Sequence, residues 1–138
     1  MDKFKIVPAT KADEEVIKQI YKECKSELGS FNLYQCWEKY LAGKSNERFD
    51  VIRGIGFVRW NWSKKYGSYL LKDIGILRSF RGNKAGVALL KHVPTPVMLK
   101  CNVSNENGNA FYKSMKMVKA GTTTTKAGVP QNIWTCVG

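Results

Sequence analysis

The chain has 138 residues and a formal charge of +12, from 23 Lys and Arg against 11 Asp and Glu. One domain of that size, residues 1–138, buries a proper core, and 43% hydrophobic content with 12% aromatics excludes a disordered chain. No apolar run reaches the ~20 residues of a membrane span, and Met1-Asp2-Lys3-Phe4-Lys5 lacks the apolar core of a secretory leader, so the expectation is a cytoplasmic protein without a membrane partner.

The charge is unevenly placed. Residues 1–52 hold 9 basic and 9 acidic side chains, residues 53–101 hold 10 and 1, and residues 102–138 hold 4 and 1. The whole excess therefore follows residue 52, and a field of one sign attracts polyanions. Cys24, Cys36, Cys101 and Cys136 form no C-x-x-C pair, and His92 is the sole histidine. These parts predict reduced thiols and no metal site.

Phe4, Ile6 and Pro8 alternate as a short first strand. Thr10 has the character of an N-cap, with Asp13 as its capping-box partner. Val16, Ile17, Ile20, Tyr21, Cys24 and Leu28 then recur at helical spacing up to Gly29. Ser30 caps a second helix with Leu33, Trp37, Tyr40 and Leu41 on one face. Strands follow at Phe49–Ile52 and Ile55–Trp62. Ser63–Gly67 forms a hairpin loop, and Tyr69–Leu77 is a long strand in which Gly75 marks either a bulge or a close packing contact. Next comes a basic glycine-containing turn and a short helix ending near His92, broken by Val93-Pro94-Thr95-Pro96. Val97–Val103 is a strand, Asn107–Met115 a helix, and Met117–Gly121 and Ile133–Val137 are closing strands joined by a Thr122–Gln131 loop.

The turn, Arg81-Gly82-Asn83-Lys84-Ala85-Gly86-Val87, carries the strongest chemical signal. Backbone N–H groups at a helix N-terminus lack intrahelical acceptors, and the helix dipole favours an anion there. Glycine lets a phosphate approach the backbone, while Arg81 and Lys84 add full charges. A second segment, Leu99-Lys100-Cys101-Asn102-Val103-Ser104-Asn105, is followed by Ala110, Phe111 and Tyr112.

This element order and these two segments resemble the GNAT superfamily of acetyl-CoA-dependent N-acyltransferases over nearly the whole chain. Arg81, Lys84 and Gly86 occupy the first, fourth and sixth places of its Q/R-x-x-G-x-G/A pyrophosphate signature. Lysine stands where the signature has glycine. Asn105 precedes the Phe111-Tyr112 pair as in the GNAT strand-and-helix segment, although Lys116-Met117 replaces the usual Gly-Phe after it.

The resemblance implies an α/β (α+β) fold with a mixed, mostly antiparallel central sheet, splayed central strands and about four flanking helices. It also implies acetyl-CoA as co-substrate. The pyrophosphate would lie over the N–H groups from Asn83 to Val87 beside Arg81 and Gly82. The pantetheine would pair with the strand edge at Ile74, Gly75, Ile76 and Leu77. Asn105 would position cofactor or active site, and Tyr112 would serve as general acid toward the thiolate. Asp73 is the candidate base, to be raised in pKa if buried, or else an exposed aspartate facing surface cations.

The acceptor stays open. Tyr34, Trp37, Tyr40, Asn132 and Trp134 fall on elements that line the acceptor site in this family. Arg59, Trp60, Asn61, Trp62, Lys64, Lys65 and Tyr66 mix bases with aromatics on the hairpin, a combination suited to nucleic acid. Period-two spacing equally turns Trp60 and Trp62 inward. An amine acceptor, a nucleic-acid base modified by a compact phage-type member, and a basic module without catalysis all remain, as do monomer and homodimer.

Overall fold

The computed structural model describes residues 4–24 and 33–137. In chain order these form β1 (Val7–Pro8), α1 (Glu14–Glu23), α2 (Leu33–Leu41), β2 (Arg48–Ile52), β3 (Gly56–Ser63), β4 (Ser68–Ile76), α3 (Ala85–His92), β5 (Val97–Asn102), α4 (Glu106–Ser114), β6 (Val118–Thr124) and β7 (Pro130–Cys136). The expected Ser30 cap and the expected helix end at Leu28 and Gly29 lie outside the described residues. No helix among the described residues is long and apolar enough to cross a membrane.

The strands make one seven-stranded sheet in the order β1-β2-β3-β4-β5-β7-β6. Every neighbouring pair is antiparallel except β4 and β5. Apolar side chains cover both faces, because successive strand residues point to opposite sides. Val51 and Phe57 join Ile17, Ile20, Leu33 and Trp37 of α1 and α2 on one face. Their sequence neighbours Ile52 and Val58 join Leu89, Leu90 and Tyr112 of α3 and α4 on the other.

Two irregularities shape the middle of the sheet. β4 and β5 pair only at Tyr69↔Val97 and Leu70↔Met98, at their N-terminal ends, and part beyond that point. Between β3 and β4 the register slips from Arg59↔Asp73 to Trp60↔Leu71, which leaves Lys72 as an extra residue on β4.

The bulge therefore lies at Lys72 and not at Gly75, which pairs in register with Phe57. Gly75 is there for space: a Cβ would stand 2.5 Å from Ile20 Cγ2 and 3.0 Å from Phe57 Cε1. The closing hairpin is longer than its sequence suggests. Thr122, Thr123 and Thr124 extend β6, and Pro130 to Asn132 extend β7, so the loop shrinks to residues 125–129. Polar threonines read as loop, yet their β-branching suits a half-exposed strand. Trp60 and Trp62 share a face but not a fate. Trp60 is buried against α3, with its Nε1 donating to Asp50 Oδ2 at 2.8 Å, whereas Trp62 is 45% exposed. Trp60 lies 6.0 Å from His92, the last residue of α3, and the helix does not continue over Trp62.

Candidate active site

The strand-to-helix turn is held from below by α1. Arg78 N–H donates to Glu23 Oε1 at 2.8 Å, and Arg78 Nη2 donates to the Glu23 carbonyl at 3.1 Å. The first of these contacts lowers the Glu23 pKa. Arg81 Nη2 lies 3.0 Å from Cys24 Sγ, at the end of the same helix. Gly82 and Lys84 both adopt left-handed backbone, with φ of 86° and 71°. Lys84 is the N-cap of α3, and its carbonyl accepts from Ala88 N at 3.1 Å. The position thus demands the conformation that glycine adopts freely, and lysine holds it at a strain of about 1–2 kcal/mol.

Beyond Leu70 and Met98 the parted strands enclose a cavity of about 680 Å³. Ile74, Gly75 and Ile76 of β4 line it, as do Asp73, Arg81, Gly82, Lys84, Ala85, Gly86, Val87, Asn105 and Tyr112. Leu77 and Asn83 fall outside its wall. The Leu77 side chain packs into the α1–α2 core and its N–H donates to the Ile55 carbonyl at 2.9 Å. The Asn83 side chain turns back, with Oδ1 at 3.4 Å from Ala85 N.

Asp73 is buried but paired. Its Oδ2 accepts from Arg59 Nε at 2.7 Å across the hairpin, and Arg59 Nη1 also donates to both Glu47 oxygens at 2.9 Å. The two carboxylates hold Arg59 above its usual pKa against its own burial. Burial pushes Asp73 up to about 7, against the pull of Arg59, which divides its charge between two acids. This buried triad replaces the alternative in which Asp73 faces exposed cations, and Arg59 is withdrawn from the basic surface. Glu47 precedes β2 and carried no sequence signal of its own.

Tyr112 is 8% exposed on α4, and its ring meets the Phe111 ring edge-on at 5.3 Å. Asn105 caps that helix, Oδ1 accepting from Gly108 N at 2.9 Å. A Cβ on Gly108 would come within 2.6 Å of Asn105 Nδ2 and 3.0 Å of Cys101 Sγ, so the cap packs tightly. Asn109, unremarked in the sequence, fixes the helix. Its Nδ2 donates to the Asn102 carbonyl at 3.0 Å and the Asn105 carbonyl at 2.9 Å. Its Oδ1 accepts from Asn132 Nδ2 at 3.1 Å and Trp134 Nε1 at 2.9 Å. Asn132 and Trp134 therefore serve the sheet–helix joint. Trp37 and Tyr40 are likewise engaged elsewhere, with Glu14 Oε1 at 2.9 Å and the Ala9 carbonyl at 2.6 Å. Burial pushes the Cys101 thiol up to about 11, so this cavity-wall sulfur stays protonated at neutral pH.

A parallel pair that splays beside the start of a helix, inside an otherwise antiparallel sheet, defines the chain's class: it has the GNAT fold. Solved structures share it over nearly their full length. The chain is similar to the aminoglycoside N(6')acetyltransferase from Legionella pneumophila (TM-score 0.77, 16% identity, 98% of this chain and 92% of that one). It is also similar to Arabidopsis thaliana NAA60 in complex with acetyl-CoA (TM-score 0.73, 14% identity, 96% and 97%). The ribosomal-protein-S18-alanine N-acetyltransferase from Escherichia coli aligns with a TM-score of 0.67 at 16% identity, over 95% and 91%. No family profile matches the sequence, and no curated protein does.

Proposed function

We propose that the protein is an acetyl-CoA-dependent N-acetyltransferase. The observation that carries this reading is the continuity of the α3 N-terminal turn with the opening between β4 and β5. The residues present fit the co-substrate. The first N–H groups of α3 lack helical acceptors, Arg81 and Lys84 stand beside them, and the inner edge of β4 beyond Leu70 is free of β5. Gly86 adds support. A Cβ there would meet Phe111 Cζ at 3.7 Å, an ordinary contact, and its φ is not positive. The protein's own packing thus does not require glycine at this position, whereas close approach of a phosphate does.

Acetyl-CoA supplies the acyl thioester that the acceptor amine attacks. In this reading Arg81 and the α3 N-terminus would hold the pyrophosphate, the free edge of β4 would orient the pantetheine by main-chain pairing, and Tyr112 would donate a proton toward the leaving sulfur. Asp73 would receive the proton that the neutral acceptor amine sheds as it attacks, a task suited to a carboxyl with its pKa near 7. Asn105 acts indirectly, by setting the start of the helix that carries Tyr112. The fold neighbours include proteins crystallised with acetyl-CoA and with a bisubstrate analogue, which supports the same co-substrate here.

Calorimetric titration of acetyl-CoA into the purified, nucleic-acid-free protein tests the reading. Saturable one-site binding, weakened by Arg81→Ala, is the expected result. No binding would end it.

A further inference from the structure

The cavity has a second positive end. Tyr66, in the β3–β4 loop, and Lys72 and Lys100 line it. Lys100 Nζ lies 5.9 Å from the centre of the Tyr66 ring and Lys65 Nζ lies 5.3 Å from it, both within cation–π range. The ring is nevertheless 45% exposed. Among the described residues no carboxylate makes a salt bridge with Lys64, Lys65, Lys72 or Lys100, in contrast to Arg53, held by Asp13, and Arg59, held by Glu47 and Asp73. Lys65 and Lys100 therefore stand at Tyr66, and Lys72 on the same cavity wall, without a salt-bridging carboxylate.

One anion cannot serve both ends. Tyr66 precedes β4 and Arg81 follows it, and the eight steps along the nine residues of β4, at about 3.3 Å each, set the ends roughly 25 Å apart. A pyrophosphate on the α3 turn leaves Lys65 and Lys100 without an anion, and Lys72 with only the adjacent Asp73, whose charge Arg59 already shares. Those lysines also flank the side of the sheet that carries Asp73, since Lys72 is the bulged residue next to it.

We propose that the acceptor is a phosphate-bearing molecule whose planar ring stacks on Tyr66 while Lys65, Lys72 and Lys100 neutralise its phosphate: a nucleotide, free or within a single strand. The assignment deepens the acetyltransferase reading and rests on it for the word acceptor. Stacking on an exposed aromatic beside lysines suits a nucleobase, every one of which offers a flat face. Polycationic acceptors meet like charge at the same rim and are rejected.

The test uses the full chain with coenzyme A at saturation, so that the α3 turn is filled. Two probes separate the sources: AMP, followed by calorimetry, and a fluorescein-labelled single-stranded oligonucleotide, followed by anisotropy across a salt series. At least one probe should bind, and the one that does identifies the source. Tyr66→Ala should weaken that binding roughly 5- to 150-fold, the loss of one stack. Lys72→Gln with Lys100→Gln should reduce the log–log salt slope for the strand by about 1.4, as loss of two phosphate contacts requires. Acetyl-CoA affinity of both variants should stay at the wild-type value. Failure of both probes, or equal binding by the variants, overturns the proposal. A fall in acetyl-CoA affinity in the lysine variant also overturns it, by assigning those cations to the co-substrate. If wild type binds acetyl-CoA but neither probe, the acceptor assignment falls alone. If it binds a probe, with coenzyme A omitted, but not acetyl-CoA, the acetyltransferase reading falls while the phosphate site stands.

Discussion

Gly86→Ala separates folding from binding, because the two should move in opposite directions. The residue is second in α3, and the added methyl finds only Phe111, with Cζ at 3.7 Å and Cε1 at 3.9 Å. No contact is forced, so replacing glycine in a helix stabilises the fold by about 0.4–1 kcal/mol through the unfolded chain's lost freedom. At ~2.1 cal/mol/K per residue the unfolding entropy of this chain gives a Tm rise of roughly 1.5–3.5 °C. A phosphate oxygen resting on the Gly86 N–H would be pushed off by the same methyl. Loss of one charge-assisted hydrogen bond is worth about 1.5–3 kcal/mol, which weakens acetyl-CoA roughly 10- to 150-fold. Differential scanning fluorimetry and calorimetric titration on the same preparation read both quantities. A raised Tm with unchanged affinity would refute the placement of the pyrophosphate. A lowered Tm would refute the account of the space around Phe111.

Tyr112→Phe should lower kcat at least about 100-fold, the lower range for a general acid, while calorimetry shows acetyl-CoA affinity at the wild-type level; unchanged turnover removes Tyr112 from the chemistry. Lys84→Gly and Lys84→Ala both delete the cation, but only glycine relieves the left-handed backbone at φ 71°. Equal loss of affinity in the two, with a higher Tm for glycine alone, is expected, and an affinity retained in both would make the lysine charge irrelevant. Gly75→Ala drives a methyl to 2.5 Å from Ile20 Cγ2, and the overpacking should cost about 1–3 kcal/mol, a Tm fall of roughly 3–10 °C on a thermal melt. Asp73 has its folded pKa raised from 3.8 to about 7, so the folded state binds the extra proton in that interval. Its stabilising contribution is complete below 3.8 and is lost as pH rises through about 7, so the stability of wild type relative to Asp73→Asn should fall between those limits in urea titrations; a flat difference would show that Arg59 keeps the carboxylate ionised throughout.

The fold was largely legible because its period-two and helical patterns are long and clean. Phe57 and Val58 or Val51 and Ile52 go to opposite cores as alternation requires. The turn before α3 was legible for a different reason: residue types with a backbone and charge requirement stand together between a strand and a helix. What could not be read were pairings set by register. Arg59 meets Asp73 only because of where the hairpin closes and where β4 bulges, and neither is encoded in either residue. Asn109 gave no signal because a helical asparagine is common on a solvent-facing side, and its side-chain partners come from the end of β5 and the residue after it, from β7 and from the helix cap. The exposure of Trp62 depends on where α3 ends, at His92 over Trp60, and that helix comes from another part of the chain.

The bulge at Lys72 ties these parts together. Counting back along β4 from Ile74, which packs with the α3–α4 core, regular alternation would send Leu71 to the same side as Asp73. The extra residue reverses that phase. Leu71 returns to the α3–α4 core opposite Trp60, and Asp73 alone faces Arg59 and Glu47. Lys72, released from the ladder, stays exposed at the cavity wall. A single inserted position therefore sets a lysine free beside a carboxyl that burial has brought to a pKa near 7, at the point where β4 and β5 begin to part. Bulges of this kind re-aim side chains without unfolding a strand. Under the proposed roles it would put the acceptor's cation and the amine's base on adjacent residues, while the apolar residues on either side of the bulge still face their cores.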